Sequence, residues 1–217
     1  MPQFWLRAAA IAAAAYFCGC FNGAVIVSKY ILRDDVRKHG SGNAGLTNFF
    51  RTFGGPLTLL VLALDIIKAI VAVLVGAALA NGFEPALWNG APGIYGKYWA
   101  ALFCLLGHMF PCMFGFRGGK GILSGGTVLW MVDWRIGLVC WGLFLLLAIL
   151  TRYVSLGSCC AGAAFPFATW LFQRDLILTA LAAAIGGLIL FQHRGNLQRL
   201  LSGTENKLSF HRKKGGT

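Results

Sequence analysis

Residues 55–80 read GPLTLLVLALDIIKAIVAVLVGAALA, an apolar run interrupted only by Asp65 and Lys68. A helix needs about 20 apolar residues to cross the hydrocarbon core of a bilayer, so this segment predicts a membrane-spanning helix. Two opposite charges three positions apart share one face of a helix and can neutralise each other. We favour a self-neutralising pair that holds neighbouring helices together; a proton relay is the alternative.

The rest of the chain has the same character. Of its 217 residues, 58% are apolar and 12% are charged, and the mean hydropathy is +0.69. A soluble domain carries about a quarter charged residues, so lipid is the main solvent here. The sequence predicts an all-α, polytopic integral membrane protein with about seven transmembrane helices, one of them short and inserted from one side. The other candidate spans are 4–28, 98–113, 121–133 (the short one), 136–151, 155–172 and 176–192.

Basic residues outnumber acidic ones by 19 to 7, which gives a net charge of +12. With seven spans, most Lys and Arg residues fall on one side of the membrane, and the positive-inside rule makes that side cytoplasmic. The sequence therefore predicts an external N-terminus, a cytoplasmic C-terminus and one membrane-embedded domain over residues 1–217. Three glycine-rich basic segments share the cytoplasmic face, namely 38–51, 107–121 and 193–207. The excess positive charge indicates an anionic leaflet, an anionic substrate or both.

The first segment, KHGSGNAGLTNFFR, contains a literal G-x-G-x-x-G at Gly40, Gly42 and Gly45. A dinucleotide-binding loop needs a buried strand before it and a βαβ unit around it, whereas this segment lies between two spanning helices, so that interpretation fails. Glycines still let backbone N–H groups approach an anion closely, and a helix N-terminus adds partial positive charge. We predict a phosphate-binding loop; a glycine-rich linker is the alternative. The side-chain donors of the segment are Ser41, Asn43, Thr47, Asn48 and Arg51.

The second segment, GHMFPCMFGFRGGKG, places Lys120 after Gly118 and Gly119 and just before the short helix. There its ammonium, the loop N–H groups and the helix dipole can meet one anion. The Walker spacing is missing, so ATP binding is unsupported. His108 lies near the cytoplasmic end of the third span, where a functional histidine and a satisfied core histidine are both possible.

The third segment, HRGNLQRLLSGTENK, follows the last span. His193 and Asn196 are three positions apart and share one face of a helix, together with Arg199 and Leu200. Gly203 is expected to end that helix. An interfacial basic helix is the alternative interpretation of this segment.

In this order and on one face, the three segments resemble the bacterial acyl-phosphate:glycerol-3-phosphate acyltransferases, the PlsY family. The resemblance covers residues 16–207. The family motif G-S-G-N-x-G-x-T-N-x-x-R is matched by residues 40–51, and H-x-x-N-[IL]-x-R-L-x-x-G-x-E-x-K is matched by residues 193–207. Between them, G-H-x-x-P and F-x-G-G-K-G are matched by residues 107–111 and 116–121.

This chain departs from the family pattern beside the polar positions. Leu46 stands where the family usually has Ala, Met113 replaces a common Phe, and Ser124 takes the place of a Thr. The Ile-Pro pair that the family carries after the glycine of the first helix is missing. These changes mostly preserve size or a hydroxyl group, so they bear on the shape of the pocket more than on the reaction.

The resemblance implies transfer of a fatty acyl group from acyl phosphate to the 1-hydroxyl of glycerol 3-phosphate, which gives lysophosphatidate and phosphate in the first acylation of phospholipid synthesis. It also implies a multi-pass protein of the bacterial cytoplasmic membrane with its active site on the cytoplasmic face. An acyl phosphate already has a good leaving group, so the protein needs positioning and charge stabilisation more than a strong nucleophile. The proton of the attacking hydroxyl goes to the leaving phosphate, with His108 as the rival base.

The implied catalytic residues are Ser41, His108 and Lys120. Lys120 and the first segment hold the phosphate of acyl phosphate, while His108 contacts a phosphate or the developing oxyanion. Arg51, His193 and Asn196 hold or orient glycerol 3-phosphate. The full implied set of substrate-binding residues is Gly40, Gly42, Asn43, Gly45, Thr47, Asn48, Arg51, Gly118, Gly119, His193, Asn196 and Glu205.

The expected partners are acyl phosphate, glycerol 3-phosphate and the lipid bilayer, with no nucleic acid. Neither a cofactor nor a metal is expected, because the four histidines and seven cysteines lack ligand spacing and acids are few. No histidine has an Asp five positions on, so an acyl-thioester donor is the weaker hypothesis. The alternative function is a transporter or channel for an organic phosphate or other anion. Against it, the motifs cluster at one face rather than at the midplane, and no inverted repeat is visible.

Overall fold

A computed structural model describes residues 2–81 and 92–208, and the regular structure within them is helical. The predicted all-α class is confirmed. Short helical turns at Val27–Ile31, Val36–Lys38 and Cys112–Phe114 accompany the α-helices. The α-helices of these two ranges are α1 Pro2–Cys20, α2 Gly23–Ile26, α3 Leu46–Thr52, α4 Leu57–Ala80, α5 Pro92–Met109, α6 Ile122–Val132, α7 Trp134–Thr151, α8 Val154–Gln173, α9 Leu176–Gln192 and α10 Arg194–Leu201. Of the single domain predicted over 1–217, residues 1, 82–91 and 209–217 lie outside the described part.

Each predicted span coincides with a helix or with a bent pair of helices. In the described part, α4, α7 and α8 are long and apolar enough to cross a membrane, and counting the two bent pairs as spans raises the number to five. Helix α6 has 11 residues, which reach about 16 Å and cannot cross a hydrocarbon core of about 30 Å. The short helix that the sequence predicts is therefore observed. Helix α5 is shifted from the predicted 98–113 toward the N-terminus by a few residues.

Helix α5 lies inside the bundle, because glycines let its neighbours approach closely. A Cβ at Gly107 would overlap the Tyr16 carbonyl oxygen of α1, and a Cβ at Gly96 would overlap the backbone of Gly76 in α4. Such small-residue contacts replace the hydrophobic driving force that is absent between helices in lipid. The side chains of α5 then pack into the main core, in which Tyr95, Tyr98 and Phe165 are among the largest fully buried residues. The close packing holds the C-terminal end of α5 in place.

The span predicted at 4–28 is interrupted, which corrects the expectation of one continuous helix. Helix α1 ends at Cys20, and after a bend of 40° the chain continues as α2. Asn22 stabilises the break: its Oδ1 accepts the Val25 N–H at 3.1 Å, and its Nδ2 donates to the Ala44 carbonyl oxygen at 3.0 Å. The break frees backbone groups of Phe21 and Gly23 for hydrogen bonds to side chains of α4.

Candidate active site

The three segments singled out by the sequence meet around one cavity of about 250 Å³. The first supplies α3 and the loop before it, the second the end of α5 and the loop before α6, and the third the bend between α9 and α10 with the chain that follows. Residues of α4, α7 and α8 complete the wall. The predicted site residues in the lining are Ser41, Asn43, Gly45, Thr47, Asn48, Arg51, His108, Lys120, His193, Asn196 and Glu205.

Asn48 organises the first segment from inside. Its Oδ1 accepts a hydrogen bond from the Ser41 N–H at 3.0 Å. Its Nδ2 lies within 3.1 Å of the carbonyl oxygens of Val36, His39 and Asn43. Both donors of the amide are therefore committed to the loop backbone. Asn48 shapes the loop that carries Ser41 and does not present its N–H groups to a ligand.

Four glycines predicted to bind substrate do not line the cavity: Gly40, Gly42, Gly118 and Gly119. The N–H groups of Gly42, Gly118 and Gly119 donate to the carbonyls of His39, Met109 and His108. Gly40 has φ 57°, and a Cβ there would overlap the Asn48 side-chain oxygen. These glycines allow the loops to fold tightly behind the wall: a Cβ at Gly118 or Gly119 would overlap atoms of His108, and Gly40 and Gly42 have positive φ.

Arg37, which lies just before the first segment, ties it to the second. Its Nη1 donates to the carbonyl oxygens of Phe114 at 2.6 Å and Arg117 at 3.0 Å. Its Nη2 pairs with the Asp35 carboxylate at 2.8 Å. The hydrogen bonds from Arg37 lower the pKa of Asp35 to about 2, against a smaller opposing effect of burial. The carboxylate therefore stays ionised at any physiological pH and holds the guanidinium in place.

Lys120 of the second segment is held by the third. Its ammonium donates to the Asn196 Oδ1, and the Asn196 Nδ2 donates to the Glu205 Oε1 at 2.6 Å. The Ser155 hydroxyl donates to the same oxygen at 2.8 Å, and the Arg199 Nε donates to Oε2 at 2.8 Å. Protein donors thus engage both oxygens of Glu205, which positions Asn196; a direct contact of Glu205 with substrate stays a prediction.

Positive charge dominates the cavity. Burial lowers the pKa of Lys120, the guanidinium groups of Arg199 and Arg51 lower it further, and Glu205 opposes them. Each of the two acids in the lining has its own basic partner. Within residues 2–81 and 92–208, Arg51 and Lys120 therefore lack an acidic partner. A bound anion would favour the charged form of Lys120, so the site is suited to phosphate.

A buried group of three ionisable side chains lies at the cavity wall, which Asp65 and His108 line. Asp65 is 1% exposed, Lys68 6% and His108 3%. The Lys68 Nζ lies 2.6 Å from the Asp65 Oδ1 and 2.8 Å from the His108 Nδ1. It also donates to the Phe21 carbonyl oxygen at 3.1 Å, and the Gly23 N–H donates to Asp65 at 3.1 Å. The predicted Asp65–Lys68 pair is confirmed, and it connects the α1–α2 break to the end of α5.

The second histidine of the cavity belongs to the third segment. His193 is 3% exposed and lies between α9 and α10, which meet at a bend of 60°. Its Nδ1 lies 2.8 Å from the Ile189 carbonyl oxygen one helical turn earlier. That bond orients the ring, so that its other nitrogen is left for the cavity.

An apolar cleft adjoins the polar cavity. It has a volume of about 40 Å³ and lies among α6, α7, α8 and α9. Ile122, Trp141, Phe144 and Ser158 line both spaces, so the two are adjacent. Gly125, Gly126 and Gly162 make room along the cleft. A molecule with an anionic head and an apolar chain matches this pairing of surfaces.

Within the described residues, no group of three or more His, Cys, Asp or Glu side chains converges on a point that could hold a metal ion. The chemistry available to the cavity is therefore that of hydrogen-bond donors, basic side chains and two imidazoles. Such a set binds and orients phosphate groups and stabilises negative charge that develops on oxygen.

Comparison with known proteins identifies the family. A family model described as glycerol-3-phosphate acyltransferase matches residues 9–203. The chain belongs to the glycerol-3-phosphate acyltransferase family. A glycerol-3-phosphate acyltransferase from Thermoanaerobacter pseudethanolicus is 37% identical over 194 residues, which are 89% of this chain and 92% of the relative. Another from Francisella tularensis subsp. holarctica is 37% identical over 195 residues, 89% of each chain.

Solved structures agree with this assignment. The crystal structure of PlsY (YgiH), an integral membrane glycerol 3-phosphate acyltransferase in its glycerol 3-phosphate form, has 30% sequence identity and a TM-score of 0.80, over 93% of this chain and 96% of that one. The lysophosphatidic acid form of the same enzyme gives 29% identity and a TM-score of 0.77. The predicted family membership and acyltransferase activity are thereby confirmed, and the chain is a multi-pass membrane enzyme. The alternative of a transporter is not supported.

Sequence reasoning missed several residues that build the site of this acyltransferase. Asn22 could have been found, because it is a polar residue next to Gly23 in an otherwise apolar span. Ser155 lies at the start of α8 and supports Glu205, and Trp141 and Phe144 form the apolar wall. Nothing in their local sequence distinguishes the last three from ordinary membrane-helix residues.

Proposed function

We propose that the protein takes its acyl group from acyl phosphate and transfers it to the sn-1 hydroxyl of glycerol 3-phosphate, releasing phosphate and lysophosphatidate. The observation that carries this proposal is the junction of a basic cavity and an apolar cleft, lined in common by Ile122, Trp141, Phe144 and Ser158. An acyl phosphate has a charged head directly attached to a long apolar chain. Both halves of such a molecule find a suitable surface here.

The proposed roles follow from what each side chain offers. Lys120 and the first segment, through Ser41 and Asn43, bind the phosphate of the donor. Arg51 binds the phosphate of glycerol 3-phosphate, the substrate named for the PlsY structure. Two phosphates carry more negative charge than one basic residue can neutralise, which accounts for two basic side chains without acidic partners. Asn196 positions Lys120. Together with His193, Asn196 also orients glycerol 3-phosphate.

The proposed reaction has one chemical step. The sn-1 oxygen attacks the acyl carbon, the C–O bond to phosphate breaks, and the hydroxyl proton passes to the departing phosphate. Because phosphate is a good leaving group, the rate comes from holding the reacting atoms together and from stabilising the negative charge on the acyl oxygen. Lys120 and His108, which both line the cavity, supply that stabilisation.

The proposed setting is the bacterial cytoplasmic membrane, with one domain over residues 1–217, the lipid bilayer as partner, the N-terminus outside and the cavity facing the cytoplasm. The support is the surplus of Lys and Arg on the side where the three segments lie. A membrane-impermeant thiol reagent applied to intact cells tests this orientation through single cysteines introduced into a cysteine-free protein at Gln3 and at Ser202. If the N-terminus is outside, only the cysteine at residue 3 is labelled. Labelling only at residue 202 would show the opposite orientation.

The activity test uses purified protein in detergent, given palmitoyl phosphate with and without glycerol 3-phosphate. We expect phosphate release that requires both substrates and yields lysophosphatidate, and a loss of at least about 100-fold in Lys120→Ala. Lys97→Ala is the matched control, because Lys97 donates to the Met131 carbonyl away from the cavity. Equal turnover with palmitoyl-coenzyme A would overturn the donor assignment, and absence of turnover by folded protein with either donor would overturn the proposed function.

A further inference from the structure

The two buried histidines of the cavity hydrogen-bond through the same ring nitrogen but to partners of opposite type. The Nδ1 of His108 faces the Lys68 ammonium at 2.8 Å, and the Nδ1 of His193 faces the Ile189 carbonyl oxygen at 2.8 Å. An ammonium can only donate and a carbonyl oxygen can only accept. The partners therefore dictate which nitrogen of each ring carries the proton.

At His108 the number of N–H groups on the Lys68 ammonium decides which ring nitrogen carries the proton. An ammonium has three N–H groups, and the Lys68 Nζ has three acceptors in range: the Phe21 carbonyl oxygen at 3.1 Å, the Asp65 Oδ1 at 2.6 Å and the His108 Nδ1 at 2.8 Å. Lys68 and Asp65 form a buried salt bridge at 2.6 Å, in which the ammonium is the donor. His108 Nδ1 must then accept, so the ring proton is on Nε2.

At His193 the assignment is the reverse. The Ile189 carbonyl can only accept, so His193 Nδ1 carries a proton and the Nε2 of the neutral ring keeps its lone pair. Both rings are 3% exposed and line the cavity. Within the described part of the chain, neither Nε2 has a hydrogen-bond partner. A buried polar atom is normally hydrogen-bonded, so each points to a ligand group of matching polarity.

We propose that Lys68 is a positioning residue that holds His108 as a hydrogen-bond donor, while the Ile189 carbonyl holds His193 as an acceptor. This inference rests on the proposed function, because it assigns polarity to the same cavity. His108 Nε2–H meets an anionic oxygen, either of the donor phosphate or of the acyl oxygen as charge develops on it. His193 Nε2 meets a hydroxyl group of glycerol 3-phosphate. The two rings thus distinguish the charged and the neutral oxygens of the substrates.

A His108 ring held in this way cannot act as the general base. A base needs a free lone pair toward the attacking hydroxyl, and the only lone pair of the neutral His108 ring is occupied by Lys68. The charged groups that face the ring from the packed helices are Lys68 and Asp65 of α4, the latter 3.9 Å from Nδ1. Lys120 also lines the cavity. A proton gained at Nδ1 would disrupt the bond from Lys68, so the arrangement resists protonation.

The direct test is ¹⁵N NMR of protein labelled at histidine nitrogens, purified in detergent at pH 7.5 without substrate. His108→Gln and His193→Gln identify the two sets of signals by their disappearance. We expect an unprotonated Nδ1 and protonated Nε2 for His108, and the opposite for His193. The same tautomer in both rings, or a doubly protonated His108, overturns the proposal. Because this readout needs no turnover, it can fail independently of the proposed function.

A kinetic test separates a donor from a base. The amide of His108→Gln can accept from Lys68 and donate toward the cavity, whereas His108→Leu can do neither. We expect the Gln variant to keep at least about a tenth of the wild-type kcat with an unchanged pH profile, and the Leu variant to lose about 100-fold or more. Equal loss in both variants overturns the donor assignment.

Lys68→Met tests the positioning role itself. Without its ammonium, His108 has no donor at Nδ1, so its ring should populate both tautomers in the NMR spectrum and kcat should fall. Lys97→Met should change neither. A Lys68→Met protein in which His108 keeps a single Nε2–H tautomer overturns the role of Lys68. Should that variant not fold, the Gln and Leu pair decides the question alone.

Discussion

Lys120 and Asn196 are 76 positions apart in the chain, and the ammonium of the first donates directly to the side-chain oxygen of the second. Glu205 in turn receives the Asn196 amide. This chain of contacts fixes a mobile, long side chain at the cavity wall, so the entropy of ordering it is lost on folding rather than on binding. The third segment therefore acts on the phosphate through the second.

Glu205→Gln should weaken this chain of contacts in a pH-dependent way. Burial alone would raise the pKa of Glu205, but hydrogen bonds from Asn196, Ser155 and Arg199 outweigh it and hold the pKa below its ordinary 4.5. A carboxylate with a lowered folded-state pKa stabilises the protein above its unfolded pKa, and that stability is lost as pH falls through the folded value. We expect a lower thermal midpoint for Glu205→Gln at pH 7.

The measurement is thermal unfolding in detergent, followed by tryptophan fluorescence between pH 3 and pH 8. The gap in midpoint between wild type and Glu205→Gln should narrow as pH falls below 4.5 and close below the lowered folded-state pKa of Glu205, because both side chains are then neutral. Activity at pH 7 should fall about tenfold or more, because Gln offers one acceptor oxygen where the carboxylate offers two, so Asn196, Ser155 and Arg199 cannot all keep their acceptor. A midpoint gap that is constant over the whole range would contradict the role of the carboxylate charge.

Asn48→Ala should loosen the first segment. It removes the acceptor of the Ser41 N–H and the side-chain donor to the carbonyls of Val36, His39 and Asn43. The carbonyls of Val36 and His39 still accept a backbone N–H, so we expect a total cost of about 1–3 kcal/mol. We expect higher KM for both substrates and faster proteolysis of the loop. Gln198→Ala, an exposed change on α10, is the control. Wild-type KM values in Asn48→Ala would show that the loop keeps its shape without this side chain.

Gly107→Ala should destabilise the bundle, because the added methyl overlaps the Tyr16 carbonyl oxygen at the crossing of α1 and α5. Overpacking of this kind costs about 1–3 kcal/mol. Gly142→Ala is the matched control: a Cβ there meets nothing within 4 Å, and the change favours the helix by about 0.5–1 kcal/mol. Thermal midpoints in the same detergent decide. Equal midpoints for the two variants would mean that α1 and α5 can move apart at Gly107 without a loss of stability.

Gly125→Leu should shorten the acyl chain that the enzyme accepts. A Cβ at Gly125 has only ordinary contacts, at 3.7 Å from Ile189 and Leu105, so the backbone tolerates a side chain, which then fills the apolar cleft. We expect kcat/KM to fall about tenfold or more for palmitoyl phosphate and much less for an eight-carbon acyl phosphate. Gly187→Leu, on an exposed face with free space, is the control. Equal losses for both chain lengths would place the acyl chain elsewhere.

Apolar periodicity and charge were enough to predict the helices and the membrane class, since lipid forces every backbone group into internal hydrogen bonds. The break at Asn22 was not predicted, because apolar residues continue on both sides of it. Tertiary contacts stabilise the break: the Phe21 carbonyl oxygen accepts a hydrogen bond from Lys68, and the Gly23 N–H donates to Asp65. The short length of α6 was readable from the sequence because Gly121 and Asp133 bound it.

The sequence by itself indicated that three segments contribute to one site and favoured phosphate as its ligand, because glycine-rich loops with basic residues and few acids suit a phosphate. Only the tertiary structure decided what each does. Asn48 and Glu205 carry polar groups as Ser41 and Lys120 do, yet their hydrogen bonds are consumed by the protein. His108 and His193 are chemically identical, and their polarity depends on whether a lysine or a carbonyl lies behind the ring. A side chain's partners are set by packing across the fold, which no local stretch of sequence records.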